Sequence, residues 1–530
     1  MKQNERRNVI TIMCDQLRPD FLHAYGADFI PTPNIDALAA DGVVFDNAIT
    51  ASTVCAPARM SFLTGLPVSG HDAWTNQVLP REGVLRFPER LSEDGYLTGC
   101  VGGWDFEPFE NPSGFVYRKN FTYECNRDET NCEYCHELRR RYPDLGEIYQ
   151  YDETHHYPLK EEDFWDYWTA DCAIEFIESY AKTGKAPNGA AAGEDAPFFL
   201  LCDFCSPHAP NTPPREVAGT VDPARIPKVR INPRPDEDLP TVEIYRRALL
   251  NPIGAILDPE SVIEARMQER LLYCELIVEV DRLVGRIVES LKENGLYENT
   301  TIVFTSDHGS CDNDYNLATK GPYPYYPQLF IPMIVANHPS LEKGTHCDAL
   351  CGNLDIGATV FDIAGDERAF GVSRSMIGLA TGEVAERDVN LSEFCDSCKT
   401  IVDKRYTFTY YPFTGKCTLF DRKEDPRETV NLADRKEYAA TKRRFLQHAI
   451  DMTVLAKGIR IEAHDLTPDV FAGIKKKHPK FLDNFDIAYP FATMGQIENI
   501  RAAGLDPTIN EFCKERPVMA HYGLYFEDQN

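Results

Sequence analysis

The chain of 530 residues carries 83 acidic against 55 basic side chains, a formal net charge of −28 at pH 7. That surplus repels polyanions, so nucleic acid and anionic membrane surfaces are excluded as main partners, and an anionic substrate would need a local positive site such as a metal ion. A hydrophobic content of 43% with 26% charged residues belongs to a globular protein with a large core, and the length predicts more than one domain.

The N-terminal stretch MKQNERRNVITIMCDQ has no apolar h-region and no small-residue cleavage site, so neither a signal peptide nor a membrane anchor is predicted. It runs from charged residues directly into a first β-run, NVITIMCD, which ends at Asp15. The 17 cysteines are odd in number and scattered, which fits reduced thiols in a cytoplasm better than a disulfide framework. Next come short helices over 33–41 (PNIDALAAD) and 57–65. A stretch from about 104 to 165, rich in aromatic and acidic residues, reads as an insert, and TGKAPNGAAAGED (183–195) reads as a surface loop.

A second β-run, PFFLLCDFCSPH, breaks at Ser206-Pro207-His208, and the proline-rich segment from Ala209 to Pro240 is predicted irregular. Leu276, Ile277, Val280, Leu283, Val284, Ile287, Val288 and Leu291 then recur at helical spacing up to a stop at Asn294-Gly295. The third β-run, TIVFTSDHG, ends at Asp307-His308-Gly309. Continuous apolar strands separated by helices predict a parallel sheet covered on both faces, and such sheets bind ligands beyond the carboxyl ends of their strands. After about residue 375 the pattern changes. RYTFTYYPFTGKCTLFD alternates, turns at Thr414-Gly415 and alternates again, which predicts a hairpin in a smaller α+β C-terminal domain.

All three β-runs carry polar chemistry at the same end. Two carboxylates, Asp15 and Asp307, plus the amide of Gln16 offer the oxygen ligands that hard cations prefer. His308 is a further ligand or a hydrogen-bond donor to a reacting group. A single Asp at a strand end usually caps a turn, but the set together points to a site. In STVCAPARMSFLTG, Pro57 marks the first turn of a helix, and Cys55 stands at its start with Arg59 one turn in. Backbone amides and the helix dipole there favour negative charge, which would lower a thiol's pKa or steady an oxyanion. The bland alternative is a small buried hydrophobe.

The order of these segments resembles the sulfatase family of the alkaline phosphatase superfamily: an Asp-rich strand end, TPNIDALAADGVVFDNAIT, CAPAR with LTG, SPHAP and TSDHG. The resemblance runs on through LDIGATVFDIAG to LFDRKEDPRETVNL. It implies an alkaline-phosphatase-like α/β fold, a large mostly parallel sheet sandwiched by helices, with a catalytic domain over 1–375 and a C-terminal subdomain over 376–530. It further implies that Cys55 is oxidised to formylglycine by a maturation enzyme, and that the hydrated aldehyde attacks a sulfate ester. Asp15, Asp307 and His308, together with residue 55, match the metal site, and Gln16 stands as a further ligand where many members have a second Asp, with calcium the first expectation and magnesium or manganese the others. Arg59 matches the arginine that steadies the diol, His208 the histidine at the leaving oxygen or sulfate, and Lys320 the lysine that binds the anion.

There are departures. Many sulfatases have Gly-Lys-Trp-His where this chain has Gly102-Gly103-Trp104-Asp105, and Asn313 and Tyr315 replace a usual Gly and His. His71, Asn76 and Asp105 are the substrate-binding candidates for that altered wall. The expected substrate is a small imported sulfate ester hydrolysed in the cytoplasm, by a chain that could form homo-oligomers. The same-site alternative is a phosphonate monoester or phosphodiester hydrolase. A catalytically inactive binding protein and a thiol or zinc protein are the readings from other classes. For the latter, Cys125, Cys132, Cys135 and His136 have zinc-ligand spacing, against unligated thiols in an insert.

Overall fold

The computed structural model describes residues 6–456 except 77, 105–110, 123–131, 145–155, 194–195, 231–238, 241–242, 244–258, 318, 367 and 396. Asp105, Cys125 and the chain beyond Ala456 therefore lie outside the described residues. The three apolar runs form neighbouring parallel strands: β1 (Asn8–Cys14) lies between β5 (Phe198–Phe204) and β6 (Thr300–Ser306). The strands β2 (Gly42–Ile49), β3 (Leu97–Gly103), β4 (Tyr117–Phe121), β7 (Met333–Ala336) and β8 (Thr345–Gly352) complete an eight-stranded sheet in the order β4-β3-β5-β1-β6-β7-β2-β8. All its pairings are parallel except those of β7 with β6 and β2.

The two-sided burial explains the unbroken apolar runs. Ile10 and Ile12 of β1 face one core with Phe176, Leu276, Ile277, Val280 and Leu283, which come from the helices Trp165–Thr183 and Pro259–Glu293. Val9 and Met13 face the other, with Phe62 and Leu63 of helix α2 (Cys55–Thr64) and Ile356 and Val360 of the helix Ile356–Ala364. Each such large side chain removed from water contributes about 1.5–3 kcal/mol, so both faces must be apolar for the strand to stay between helices. The structure starts α2 at Cys55 itself, with Val54 as extended N-cap, two residues earlier than the proline suggests. The helix α1 (Pro33–Ala40) lies where expected.

A second, antiparallel sheet has the order β12-β11-β10-β9, with β9 (Asn390–Phe394), β10 (Cys398–Val402), β11 (Tyr406–Tyr411) and β12 (Lys416–Asp421). The hairpin expected at 405–421 is β11–β12, and Gly415 supplies the left-handed turn residue at φ 66°. This sheet reaches the first through β9: Glu393 N–H donates to Ala51 O at 2.9 Å, and Phe394, Cys395 and Cys398 pack with Val54. Every cysteine among the described residues is a free thiol. Cys132 and Cys135 are buried at the start of a short helix, and the zinc reading for them rests on Cys125, outside the described residues.

Candidate active site

Parallel register brings the strand ends together. Cys14 pairs with both Phe204 and Ser306, so Asp15 and Asp307 emerge side by side from β1 and β6. The chain then folds onto itself. Gln16 takes φ 72° and donates its N–H to Asp307 Oδ1 at 3.1 Å, while Asp307 N–H donates to Cys14 O at 3.0 Å. Thr50 Oγ1 and Asn353 Nδ2 donate to the Asp307 carbonyl at 2.6 and 3.0 Å, fixing that turn from β2 and β8. Nδ1 of His308 donates to the Gly309 carbonyl at 2.8 Å, which leaves Nε2 with its lone pair facing inward, 3.3 Å from Cys55 Sγ.

Helix α2 aims its N-terminus at this carboxylate pair. All ten of its residues are buried, and Asn76 Oδ1 accepts the Ala56 N–H at 3.0 Å, a cap supplied from outside the helix. Cys55 Sγ lies 3.7 Å from Asp15 Oδ1 and 2.6 Å from Lys320 Nζ. One turn further on, Arg59 is fully buried and meets three carboxylates: Nε to Asp307 at 3.1 Å, Nη2 to Asp15 at 3.1 Å, and Nη1 to Asp203. A guanidinium suits this task because its planar fork presents donors in three directions.

The charges shape one another. Burial alone would raise the Asp15 carboxyl, but Lys320, His208 and Arg59 outweigh it and hold Asp15 well below the usual carboxylate range. Asp307 moves the other way, pushed up by burial and by the Asp15 charge. Burial would lower Lys320, yet Asp15, Cys55 and Asp307 hold it above the usual lysine value, a fixed ammonium. Burial, and then Lys320, lower His308 to about 3 and His208 to about 4, so both rings are neutral at pH 7.

The residues present fit a hard divalent cation. Donor atoms of Asp15, Cys55, Asp307 and His308 all lie within 4.8 Å of one another, the one such group among the described residues. Gln16 is 4% exposed and its Oε1 has no hydrogen-bond partner, while its Nε2 is held by Ser310 Oγ at 3.2 Å. A buried amide oxygen left unsatisfied, on the residue that follows Asp15 and bonds Asp307 through its N–H, is consistent with a cation ligand.

The other sequence candidates fall in different places. His208 follows Ser206-Pro207, its Nδ1 donates to Ala209 O at 2.6 Å, and its ring interacts electrostatically with Lys320, Asp15 and His308, so it faces the same cluster. His71 lies behind α2: Nδ1 accepts the Ala73 N–H at 3.1 Å and Nε2 lies 3.0 Å from Ser61 Oγ, in a site with no solvent exposure. Asn313 bonds Glu269 at 2.8 Å, and Tyr315 stacks on Tyr325 with centroids 4.2 Å apart. Asp203 joins the site through Arg59 without matching any motif in the sequence. Its signal was a lone charge inside the apolar run FFLLCDFC, where a buried carboxylate demands a partner.

The sulfatase family profile matches residues 7–366. The chain belongs to the sulfatase family. Sulfuric ester hydrolase is accordingly its enzyme class. It is 28% identical to an arylsulfatase of Clostridium perfringens over 81% of this chain and 91% of that one. It is 27% identical to a multifunctional alkaline phosphatase superfamily protein of Trinickia caryophylli, over 84% and 95%. Among solved structures, a phosphonate monoester hydrolase from Silicibacter pomeroyi superimposes with a TM-score of 0.71 at 22% identity, covering 84% of this chain and 95% of that one. That last likeness establishes the alkaline-phosphatase-like architecture described above.

Proposed function

We propose that the chain hydrolyses sulfate esters of small alcohols, with a formylglycine derived from Cys55 as nucleophile and a divalent cation, calcium by first choice, held by Asp15, Gln16, Asp307 and His308. The observation that carries the reading is the convergence of Cys55, two strand-end carboxylates and His308 at the N-terminus of α2, with Arg59 beneath them. When bound, the cation and the hydrated aldehyde supply an acidified hydroxyl as the attacking group.

The rest belongs to the chain's own side chains. Arg59 ties the two metal-site carboxylates to one guanidinium. Lys320 presents fixed N–H donors to the ester oxygens, where negative charge develops. His208, neutral and oriented through Nδ1, turns Nε2 toward the leaving oxygen or the sulfate. Asn76 fixes the helix amides behind residue 55, and His71 braces α2 from the far side. In this division of labour residues 1–375 carry the chemistry, and from the C-terminal subdomain (376–530) Phe394, Cys395 and Cys398 pack against Val54. A formylglycine-generating enzyme acts on the chain first, and the substrate is small and taken up into the cytoplasm. No helix among the described residues is long and apolar enough to cross a membrane.

Peptide mass spectrometry across residue 55, on protein from its native host, tests the nucleophile: an aldehyde is expected, and an intact thiol overturns the mechanism. A second reading, hydrolysis of phosphonate monoesters or phosphodiesters, is favoured by one feature, the bare Gly103 where a lysine would otherwise bind sulfate. Relative kcat/KM on paired aryl sulfate, phosphonate and phosphodiester substrates separates the two.

A further inference from the structure

The third carboxylate on Arg59 is the feature that the mechanism above leaves unused. Asp203 is fully buried one residue before the carboxyl end of β5, where it binds Arg59 Nη1. The neighbouring strand makes room for it. Gly102, paired with Asp203 in register, has φ 98°, and a Cβ there would stand 2.1 Å from the Asp203 carbonyl oxygen. A Cβ on Gly103 would lie 3.4 Å from Asp203 Cγ and 3.5 Å from Arg59 Nη1. Position 103 thus points at the Asp203–Arg59 pair and contributes no charge of its own.

Charge counting gives the consequence. Among the described residues Asp203 adds a third carboxylate to Asp15 and Asp307, against the two cations Arg59 and Lys320. Without Asp203 the metal-loaded site would carry one more positive charge.

We propose that Asp203 is a specificity-determining residue that lowers the positive charge of the loaded site by one, so that it favours singly charged tetrahedral anions over doubly charged ones. The inference rests on the metal-loaded site of the proposed function. It covers sulfate monoesters, phosphonate monoesters and phosphodiesters alike, all singly charged, and sets them against phosphate monoesters and free sulfate, which carry two charges. Asp203 acts through Arg59 and the field of the site rather than by touching substrate.

The test compares inorganic sulfate with methanesulfonate, two tetrahedral sulfur anions that differ by one charge, by calorimetry on calcium-loaded protein at pH 8. In Asp203→Asn, sulfate is expected to bind about tenfold more tightly relative to methanesulfonate than in the parent, the effect of one charge removed at short range in a partly screened site. Asp203→Ser serves as the second variant, and thermal melting of both checks that they fold. An unchanged sulfate-to-methanesulfonate ratio in the folded variants overturns the proposal, and so does equal weakening of both anions, which marks a purely structural role. Turnover adds a separate arm: kcat/KM for an aryl phosphate relative to an aryl sulfate should rise about tenfold in Asp203→Asn. Failure of the parent to turn over any of these esters would count against the proposed function, while the anion-binding ratio would still decide the role of Asp203.

Discussion

On the β1–β6 side of Cys55 each charged group meets a partner from another strand or loop, whereas on the β3 side the sheet ends in Gly102 and Gly103, beside Asp203 of the neighbouring strand and Arg59. The first wall is over-determined. Asp307 alone is held by Gln16, His308 and Arg59 at its carboxylate and by Thr50 and Asn353 at its carbonyl. Such a wall preorganises one geometry, which catalysis by fixed charge requires. The second wall combines close backbone approach at Gly102 with the Asp203–Arg59 pair, so it meets the first wall through a single guanidinium. With the role proposed for Asp203, reaction chemistry and anion preference are separable in this pocket.

Cys55→Ala should break the comparison outright. It removes the precursor of the nucleophile, and kcat/KM should fall by about 10⁴-fold or more, with a melting temperature near that of the parent. Arg59→Lys attacks the residue shared by both walls. A point-charge ammonium cannot serve three carboxylates, so a loss of about 10²- to 10³-fold in kcat is expected. Denaturant unfolding should show a cost of about 3–5 kcal/mol, the expense of leaving buried carboxylates unpaired.

A third variant addresses the support of the second wall. Asp166, on the helix Trp165–Thr183, accepts the N–H groups of Cys205 and Ser206 at 2.7 and 2.9 Å and so sets the strand end that carries His208. Burial pushes its carboxyl up from 3.8 to about 6, against its hydrogen bonds. Between those values the folded chain keeps a proton that the unfolded chain has released. This group's contribution is therefore full below pH 3.8 and falls as the pH rises toward 6. Asp166→Asn should remove that slope, so the stability of the parent relative to the variant should drop by about 2 kcal/mol between pH 4 and 6, read by urea unfolding. The smallest effect is expected from Asn76→Ala, about 1 kcal/mol of stability for the lost cap. Calcium affinity should fall only slightly, because the first wall does not depend on that bond.

Legibility in the sequence followed the same division. Asp15, Asp307 and His308 were readable because each ends an apolar run, and the period of those runs already placed their ends on one sheet edge. Cys55 and Arg59 were readable through the helix-start signal, although the structure moved that start to Cys55 because Asn76 supplies the cap from a distant loop. His71 was not readable as a brace behind α2. Its hydrogen bonds to Ser61 and Ala73 depend on how a short turn folds back, and no spacing rule encodes that. Asp203 left only a weak trace, a charge where every neighbour is apolar.

The sequence by itself determined the sheet of buried strands, the edge on which the polar residues gather, and the family to which the chain belongs, since local pattern and residue order suffice for these. Tertiary structure alone decided that one guanidinium binds carboxylates from three strands, that the buried side-chain oxygen of Gln16 is left without a hydrogen bond, and that position 103 is bare above Asp203. These facts depend on register and close approach between segments far apart in the chain, where the energy of burying a charge is settled by partners that local sequence does not name.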